Sequence, residues 1–282
     1  MAAHKQVNAA GRGRSSRKPK LGQHFLTDAN AARRIVEALG DISQSVVIEI
    51  GPGRGALTKA LADRARRLIA VEFDPMLAQQ LRVALSGREN VEIIHADFLN
   101  VSVSDLLNSH GNRSHNGAKI VGNIPYYITS DILLRLFEQH ESVETIVVML
   151  QKEVADRVAA EPGSRDYGLL TVTAQLFANV ERLFTLPPSA FSPPPQVHST
   201  VLRIRIAPKA GALKVDAGAF LDFAKLAFAQ KRKTLFNNLR AQCGREQVEE
   251  VLRTNGVRAD VRAEALSLDQ LAQIHRGLER SR

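Results

Sequence analysis

Val46-Val47-Ile48-Glu49-Ile50-Gly51-Pro52-Gly53-Arg54-Gly55 is the stretch that decides the fold. Its first half is an apolar, mostly β-branched run, the pattern of a buried strand. Its second half breaks that strand with Gly51, Gly53 and Gly55. Glycine accepts backbone conformations other residues avoid and lets a ligand approach the main chain. Ala56 to Ala62 then reads as a helix.

The same alternation continues outward from this unit. Leu68 to Val71, Val91 to His95, Lys119 to Gly122 and Thr145 to Leu150 read as strands. Pro75 to Leu85, Ser130 to Glu138, Gln151 to Ala160 and Leu169 to Phe177 read as helices, with Pro75 suited to a first turn. Val180 to Leu186 and Thr200 to Ile206 close the run as two β segments. Alternating strands and helices predict an α/β domain with a parallel sheet covered on both faces. Asn108 to Ala118, rich in Ser, Asn, Gly and His, reads as a surface insertion; His110 and His115 lack the further ligands a metal site needs.

Beyond Ala207-Pro208-Lys209-Ala210-Gly211, a linker by composition, only helical patterns remain: Ala217 to Ala229, Thr234 to Ala241, Glu246 to Thr254 and Leu268 to Leu278. Ser267 and Gln270 form a capping box for the last. The expected division is a basic tail at 1–20, a sheet domain at 21–207 and a small all-helical domain at 208–282.

The 282 residues are 44% hydrophobic, enough for a substantial core. No apolar run approaches the ~18–20 residues of a membrane span, and no apolar stretch follows the basic N-terminus. Neither a membrane partner nor a signal peptide is therefore expected. Lysine plus arginine total 38 against 29 acids, a net charge of +9. That balance favours a nucleic-acid partner over a merely well-solvated basic surface. Lys5, Arg12, Arg14, Arg17, Lys18 and Lys20 make residues 1–20 an expected mobile segment. An RNA-binding arm suits this segment better than an organelle transit peptide, because it lacks a clear amphipathic face. Cys243, the lone cysteine, excludes an intrachain disulfide and fits a reducing, cytoplasmic compartment.

Open parallel sheets bind ligands at the carboxyl ends of their strands. Four successive strand ends here carry a chemical signal: Glu49 with the glycine turn, Glu72, Asp97 and Asn123, spaced by 23, 25 and 26 residues. Each interval is one strand plus one crossover, so the four groups line one crevice. Glu72 lies about 20 residues beyond the glycine turn, the spacing of an acid that holds ribose hydroxyls. A dinucleotide site such as that for NAD shares this feature. The spacing Gly-Pro-Gly-Arg-Gly, however, is not the pyrophosphate fingerprint G-x-G-x-x-G. Asp97 adds an acceptor suited to an adenine amine. The set favours S-adenosylmethionine, which combines adenine, ribose and an amino acid with no phosphate.

Asn123-Ile124-Pro125-Tyr126 follows the fourth strand. Adenine N6 is a poor nucleophile because its lone pair is delocalised into the ring. Two acceptors on its hydrogens, the Asn123 side-chain oxygen and the Ile124 carbonyl, would favour the tetrahedral geometry that attack requires. Pro125 stiffens the turn, and Tyr126 offers a flat face for the base. The reaction is then a displacement governed by positioning, which calls for neither a metal nor a covalent enzyme intermediate. A plain strand-ending turn is the alternative for the tetrapeptide taken alone.

These motifs, with Gly22-Gln23-His24-Phe25-Leu26, Gln151-Lys152-Glu153-Val154-Ala155, Phe191-Ser192-Pro193-Pro194-Pro195, Gln230 to Leu235 and Asn237-Asn238-Leu239, make a specific set. The chain resembles the KsgA/RsmA family, the small-subunit ribosomal RNA adenine dimethyltransferases, from about Lys20 to Leu278. The resemblance implies a class I, Rossmann-like methyltransferase fold with a small helical C-terminal domain. It implies N6,N6-dimethylation of two adjacent adenosines near the 3′ end of 16S rRNA, in a pre-30S particle, by a monomer. It also implies that His24, Leu26, Gly51, Glu72, Asp97 and Asn123 contact the cofactor, that Asn123 also serves the target amine, and that Tyr126 and Phe191 sandwich the base. The chain departs from the family at Gln196 and His198, where lysine and aspartate are usual.

Lys231, Arg232, Lys233 and Arg240 read as a basic face on a helix opening the C-terminal domain, suited to phosphate contact. Two rival functions remain: an Erm-type 23S rRNA adenine methyltransferase, and a non-enzymatic RNA-binding assembly factor on the same scaffold.

Overall fold

The structure is a computed structural model and describes residues 24–108 and 117–280. The basic tail at 1–20, Gly22, Gln23, and the loop bearing His110 and His115 lie outside the described residues, as does the side chain of Tyr126. The chain opens with β1 (Phe25–Leu26) and α1 (Ala29–Glu37). It then runs through β2 (Val46–Ile50), α2 (Thr58–Ala62), β3 (Arg67–Glu72), α3 (Pro75–Ala84), β4 (Val91–His95), α4 (Val103–Asn108), β5 (Ala118–Asn123) and α5 (Thr129–Glu138). β6 (Val143–Gln151), α6 (Lys152–Val158), α7 (Leu169–Phe177), β7 (Ala178–Leu186), β8 (Phe191–Ser192) and β9 (Ser199–Ile206) follow. Helices α8 (Ala210–Leu213), α9 (Ala217–Ala227), α10 (Leu235–Cys243), α11 (Arg245–Thr254) and α12 (Leu268–Arg280) complete it.

The main sheet has the strand order β4-β3-β2-β5-β6-β9-β7. β4, β3, β2, β5 and β6 are mutually parallel. β9 runs antiparallel to both of its neighbours, β6 and β7. The expected parallel sheet is thus corrected at one strand. Parallel neighbours need a crossover, usually a helix, to carry the chain back to its starting edge. Between β7 and β9 there is no α-helix, only a proline loop and the two-residue β8, so the chain returns beside β7 in the opposite sense.

Side chains alternate between the two faces of a strand. In β2, Val46, Ile48 and Ile50 point into one apolar cluster with α5, while Val47 joins a second with α1 and α2. Ile48, Ile69 and Ile120, on three adjacent strands, are fully buried. Each such side chain contributes roughly 1.5–3 kcal/mol relative to exposure. The first cluster continues without a break through α7 into α9, α10, α11 and α12, so the C-terminal helices share an apolar core with the sheet.

Local signals set the helix starts. Asp28 caps α1 by accepting from Ala31 N at 3.0 Å. Asp74 caps α3, with Pro75 in its first turn. Ser267 and Gln270 exchange the two hydrogen bonds of a capping box before α12. Thr234 caps α10, which begins at Leu235. Lys231, Arg232 and Lys233 therefore lie in the turn before that helix and not on its face; Arg240 alone of the four is helical.

Candidate active site

The strand order sets the carboxyl ends of β4, β3, β2 and β5 side by side. A cavity of about 300 Å³ opens there. His24, Leu26, Gly51, Glu72, Asp97, Asn123 and Ile124 all line it, together with Glu49, Phe25, Arg54, Phe73 and Tyr127. The four strand-end signals therefore converge on one crevice.

The glycine turn after β2 has the backbone its composition demands. Gly51 and Gly53 have φ of +62° and +57°, the left-handed region that side chains disfavour. A Cβ on Gly53 would also approach the Phe25 ring to 3.0 Å. Gly53 N donates to Glu72 Oε2 at 2.9 Å and Asp74 N to Oε1 at 2.8 Å. Two main-chain amides from different loops thus fix the Glu72 carboxylate, and each oxygen keeps a second lone pair. Asp97 Oδ1 accepts from Leu99 N at 3.0 Å, capping the short turn that follows.

Glu49 is 1% exposed, and its Oε2 has no hydrogen-bond partner. Burial pushes its carboxyl up to about 8; the Thr58 hydroxyl opposes this without reaching hydrogen-bonding geometry, and the Glu72 charge adds to it. Glu49 is part of the cavity lining, and a buried carboxyl with one unpartnered oxygen suits a cationic group.

Asn123 ends β5. Its Nδ2 donates to the His24 carbonyl at 2.8 Å, and His24 Nδ1 lies 2.8 Å from the Pro193 carbonyl. The segment leading into β1 is thus tied both to the end of β5 and to the proline loop. With Nδ2 engaged, Asn123 Oδ1 remains as an acceptor. Ile124 N donates to Met149 O at 3.3 Å, which sets the following carbonyl at the end of the β5–β6 pairing. The position before Asn123, Gly122, admits no side chain: a Cβ there would stand 2.6 Å from the Ile50 carbonyl oxygen. Tyr126 begins a single turn of 3-10 helix, Tyr126–Ile128.

Phe191 differs from the expectation. It is 4% exposed, packs in the cluster with Leu26 and Ile35, and does not line the cavity. β1 and β8 pair antiparallel with Leu26 opposite Phe191, so Phe191 backs the residue that lines the cavity. Its ring is not presented to a base in this conformation. Phe25 carries a contact that the sequence does not announce: its ring lies beneath the Arg54 guanidinium at 4.4 Å. The aromatic residue within the Gln23-to-Leu26 motif is the available signal, but its contact with the glycine turn spans the fold.

The model of the ribosomal RNA adenine dimethylase family matches residues 14–279. The chain belongs to that family. Among curated relatives of the family, it is 54% identical to the ribosomal RNA small subunit methyltransferase A of Koribacter versatilis over 287 residues, covering 99% of both chains. It is 38% identical to the protein of the same name from Bacillus licheniformis, covering 90% of this chain and 89% of that one. Among solved structures it is similar to the 23S rRNA methyltransferase ErmE, with a TM-score of 0.69, 30% identity, and coverage of 90% of this chain and 99% of that one. A dimethyladenosine transferase from Plasmodium falciparum, at 22% identity and a TM-score of 0.72, shares the fold over 89% of this chain. As a member of the adenine dimethylase family the chain is a methyltransferase, and the fold is that of Rossmann-like methyltransferases with a helical C-terminal region. Among the described residues, no helix is long and apolar enough to cross a membrane, and no group of three or more His, Cys, Asp or Glu side chains could hold a metal ion.

Proposed function

We propose that this protein transfers methyl groups from S-adenosylmethionine to the N6 amines of two adjacent adenosines near the 3′ end of 16S rRNA, within a pre-30S particle. The observation that carries the reading is the hydrogen bond from Asn123 Nδ2 to the His24 carbonyl. It directs the side-chain amide so that Oδ1, with the Ile124 carbonyl, forms a pair of acceptors beside an acid-lined cavity. The small-subunit relatives, at 54% and 38% identity, favour 16S over 23S rRNA as the target.

The cavity's donor set fits the cofactor. Glu72 keeps lone pairs for ribose hydroxyls, and Asp97 Oδ2 suits an adenine amine. The partnerless Glu49 oxygen takes the amino acid's positive charge, and Gly51 and Gly53 bring backbone close to it. The Glu72 and Asp97 carboxylates in one crevice are unfavourable for a pyrophosphate, which separates this site from one for NAD. When bound, S-adenosylmethionine supplies an electrophilic methyl group on a sulfonium.

The protein's part is positional. For the first methyl, Asn123 Oδ1 and Ile124 O each accept a hydrogen bond from one N6–H; for the second, the one N6–H that remains keeps one of these partners. This draws the amine towards tetrahedral geometry and frees its lone pair, and each transfer releases one N6 proton to solvent. Position 126 supplies the ring against which the flipped base stacks. Phe191, buried behind Leu26, holds β1 and with it the His24 carbonyl. Residues 208–282 provide the larger RNA contact, with Lys231, Arg232 and Lys233 exposed in a turn and set against phosphates. The basic segment at 1–20 adds an RNA-binding arm, and the enzyme acts as a cytoplasmic monomer.

Labelled methyl incorporation tests the assignment. Immature 30S particles should accept label, and 50S particles should not. Label confined to 50S would establish the Erm-type target instead, and binding to 30S without any transfer would establish an assembly factor.

A further inference from the structure

We propose that Tyr127 is a stacking platform for the nucleotide that flanks the target adenosine, a role that rests on the RNA-adenine reading above. Two aromatic rings stand out among the described residues by exposure: Phe73 at 55% and Tyr127 at 64%. Both line the active-site cavity. Phe73 follows Glu72 at the end of β3, on the side assigned to the cofactor's ribose. Tyr127 sits beyond the end of β5, on the side of the Asn123 and Ile124 acceptors.

The backbone beneath Tyr127 is fixed. Ile128 N and the Thr129 hydroxyl both donate to the Pro125 carbonyl at 3.2 Å, and Thr129 is 2% exposed. The ring is therefore held out at the rim by a pinned turn. An exposed aromatic ring on a rigid support at the mouth of a nucleic-acid site suits a base with an open π-face. With the target base assigned to position 126, the base that Tyr127 meets is a neighbour in the RNA. Flipping the target unstacks that neighbour, which leaves a face that Tyr127 covers. With two adjacent targets, the neighbour is the other adenosine while one of the two is being methylated.

The test uses the full-length enzyme and 30S particles reconstituted with 16S rRNA that is intact or abasic at one or the other flank of the target. On intact particles Tyr127→Ala should raise KM about tenfold, the scale of one missing base stack, with kcat little changed. Tyr127→Phe should behave as wild type, because stacking needs the ring and not the hydroxyl. On particles abasic at one of the two flanks, wild type and Tyr127→Ala should have the same KM. A full Tyr127→Ala defect on both abasic particles, or a Tyr127→Phe defect as large as that of alanine, would overturn the platform. Failure of the wild type to methylate intact particles would overturn the RNA-adenine reading and the platform with it.

Discussion

Asn123 Nδ2 and the His24 carbonyl are 2.8 Å apart and hydrogen-bonded. This bond joins the end of a central strand to the segment that leads into β1, 99 positions earlier. It gives the side-chain amide one orientation and sets its oxygen as an acceptor. Asn123→Ala removes that acceptor at a half-buried position. It should fold normally and lose roughly 100- to 1000-fold in kcat, the scale seen when one preorganised hydrogen-bonding group is removed. Turnover within a few-fold of wild type, with an unchanged thermal midpoint, would refute the assigned role.

Glu49 gives the cofactor-free protein a specific pH dependence. Its carboxyl titrates near 4.5 when unfolded and about 8 when folded, so the folded state binds the extra proton between those values. Stability should therefore fall as pH rises through that window, by at most ~1.4 kcal/mol per pH unit, and level off above it. Glu49→Gln should flatten the slope in urea titrations at stepped pH. S-adenosylmethionine, by placing positive charge at this carboxyl, should release about one proton on binding near pH 7. Calorimetry in buffers of different ionisation enthalpy reads that proton directly. Equal heats in all buffers would contradict the pairing.

Gly122 lets β2 and β5 approach, and with them the glycine turn and Asn123. A Cβ at this position would meet a backbone oxygen, which cannot rotate away. Gly122→Ala should cost about 1–3 kcal/mol, as overpacking does, and lower Tm by ~2–4 °C for each kcal/mol. A midpoint unchanged within a degree would show that the strands part at no cost.

Lys231, Arg232 and Lys233 are exposed in the turn before α10. Reversing all three to glutamate should weaken RNA binding and flatten its salt dependence, by ~0.7 in the log–log slope for each single-stranded phosphate the turn no longer neutralises. An unchanged slope would remove this turn from the RNA interface.

The strands and acids of the site were legible because burial and chemistry mark them locally. β2 is a β-branched run that a glycine turn cuts short, and the acids recur one crossover apart. Relations across the fold were not legible. β1 and β8 are two residues each, too short for any periodicity, and their pairing is what buries Phe191. An aromatic residue beside a proline loop reads the same whether its ring turns towards a base or into the core. β9 has the composition of the parallel strands, and only the missing crossover helix reverses it. α1 carries its own helical pattern, with Ala31, Ala32, Ile35 and Val36 buried on one face behind the Asp28 cap. The basic turn before α10 reads as helix by propensity, and the Thr234 cap moves the start beyond it.

The most direct test of the central claim is mass spectrometry of the 3′-terminal 16S rRNA fragment after reaction of immature 30S particles with the enzyme and S-adenosylmethionine. The predicted result is two adjacent adenosines, each carrying two methyl groups on N6, in wild-type reactions and not with Asn123→Ala. Methyl groups on any other atom or base, or found solely in 23S rRNA, would contradict it.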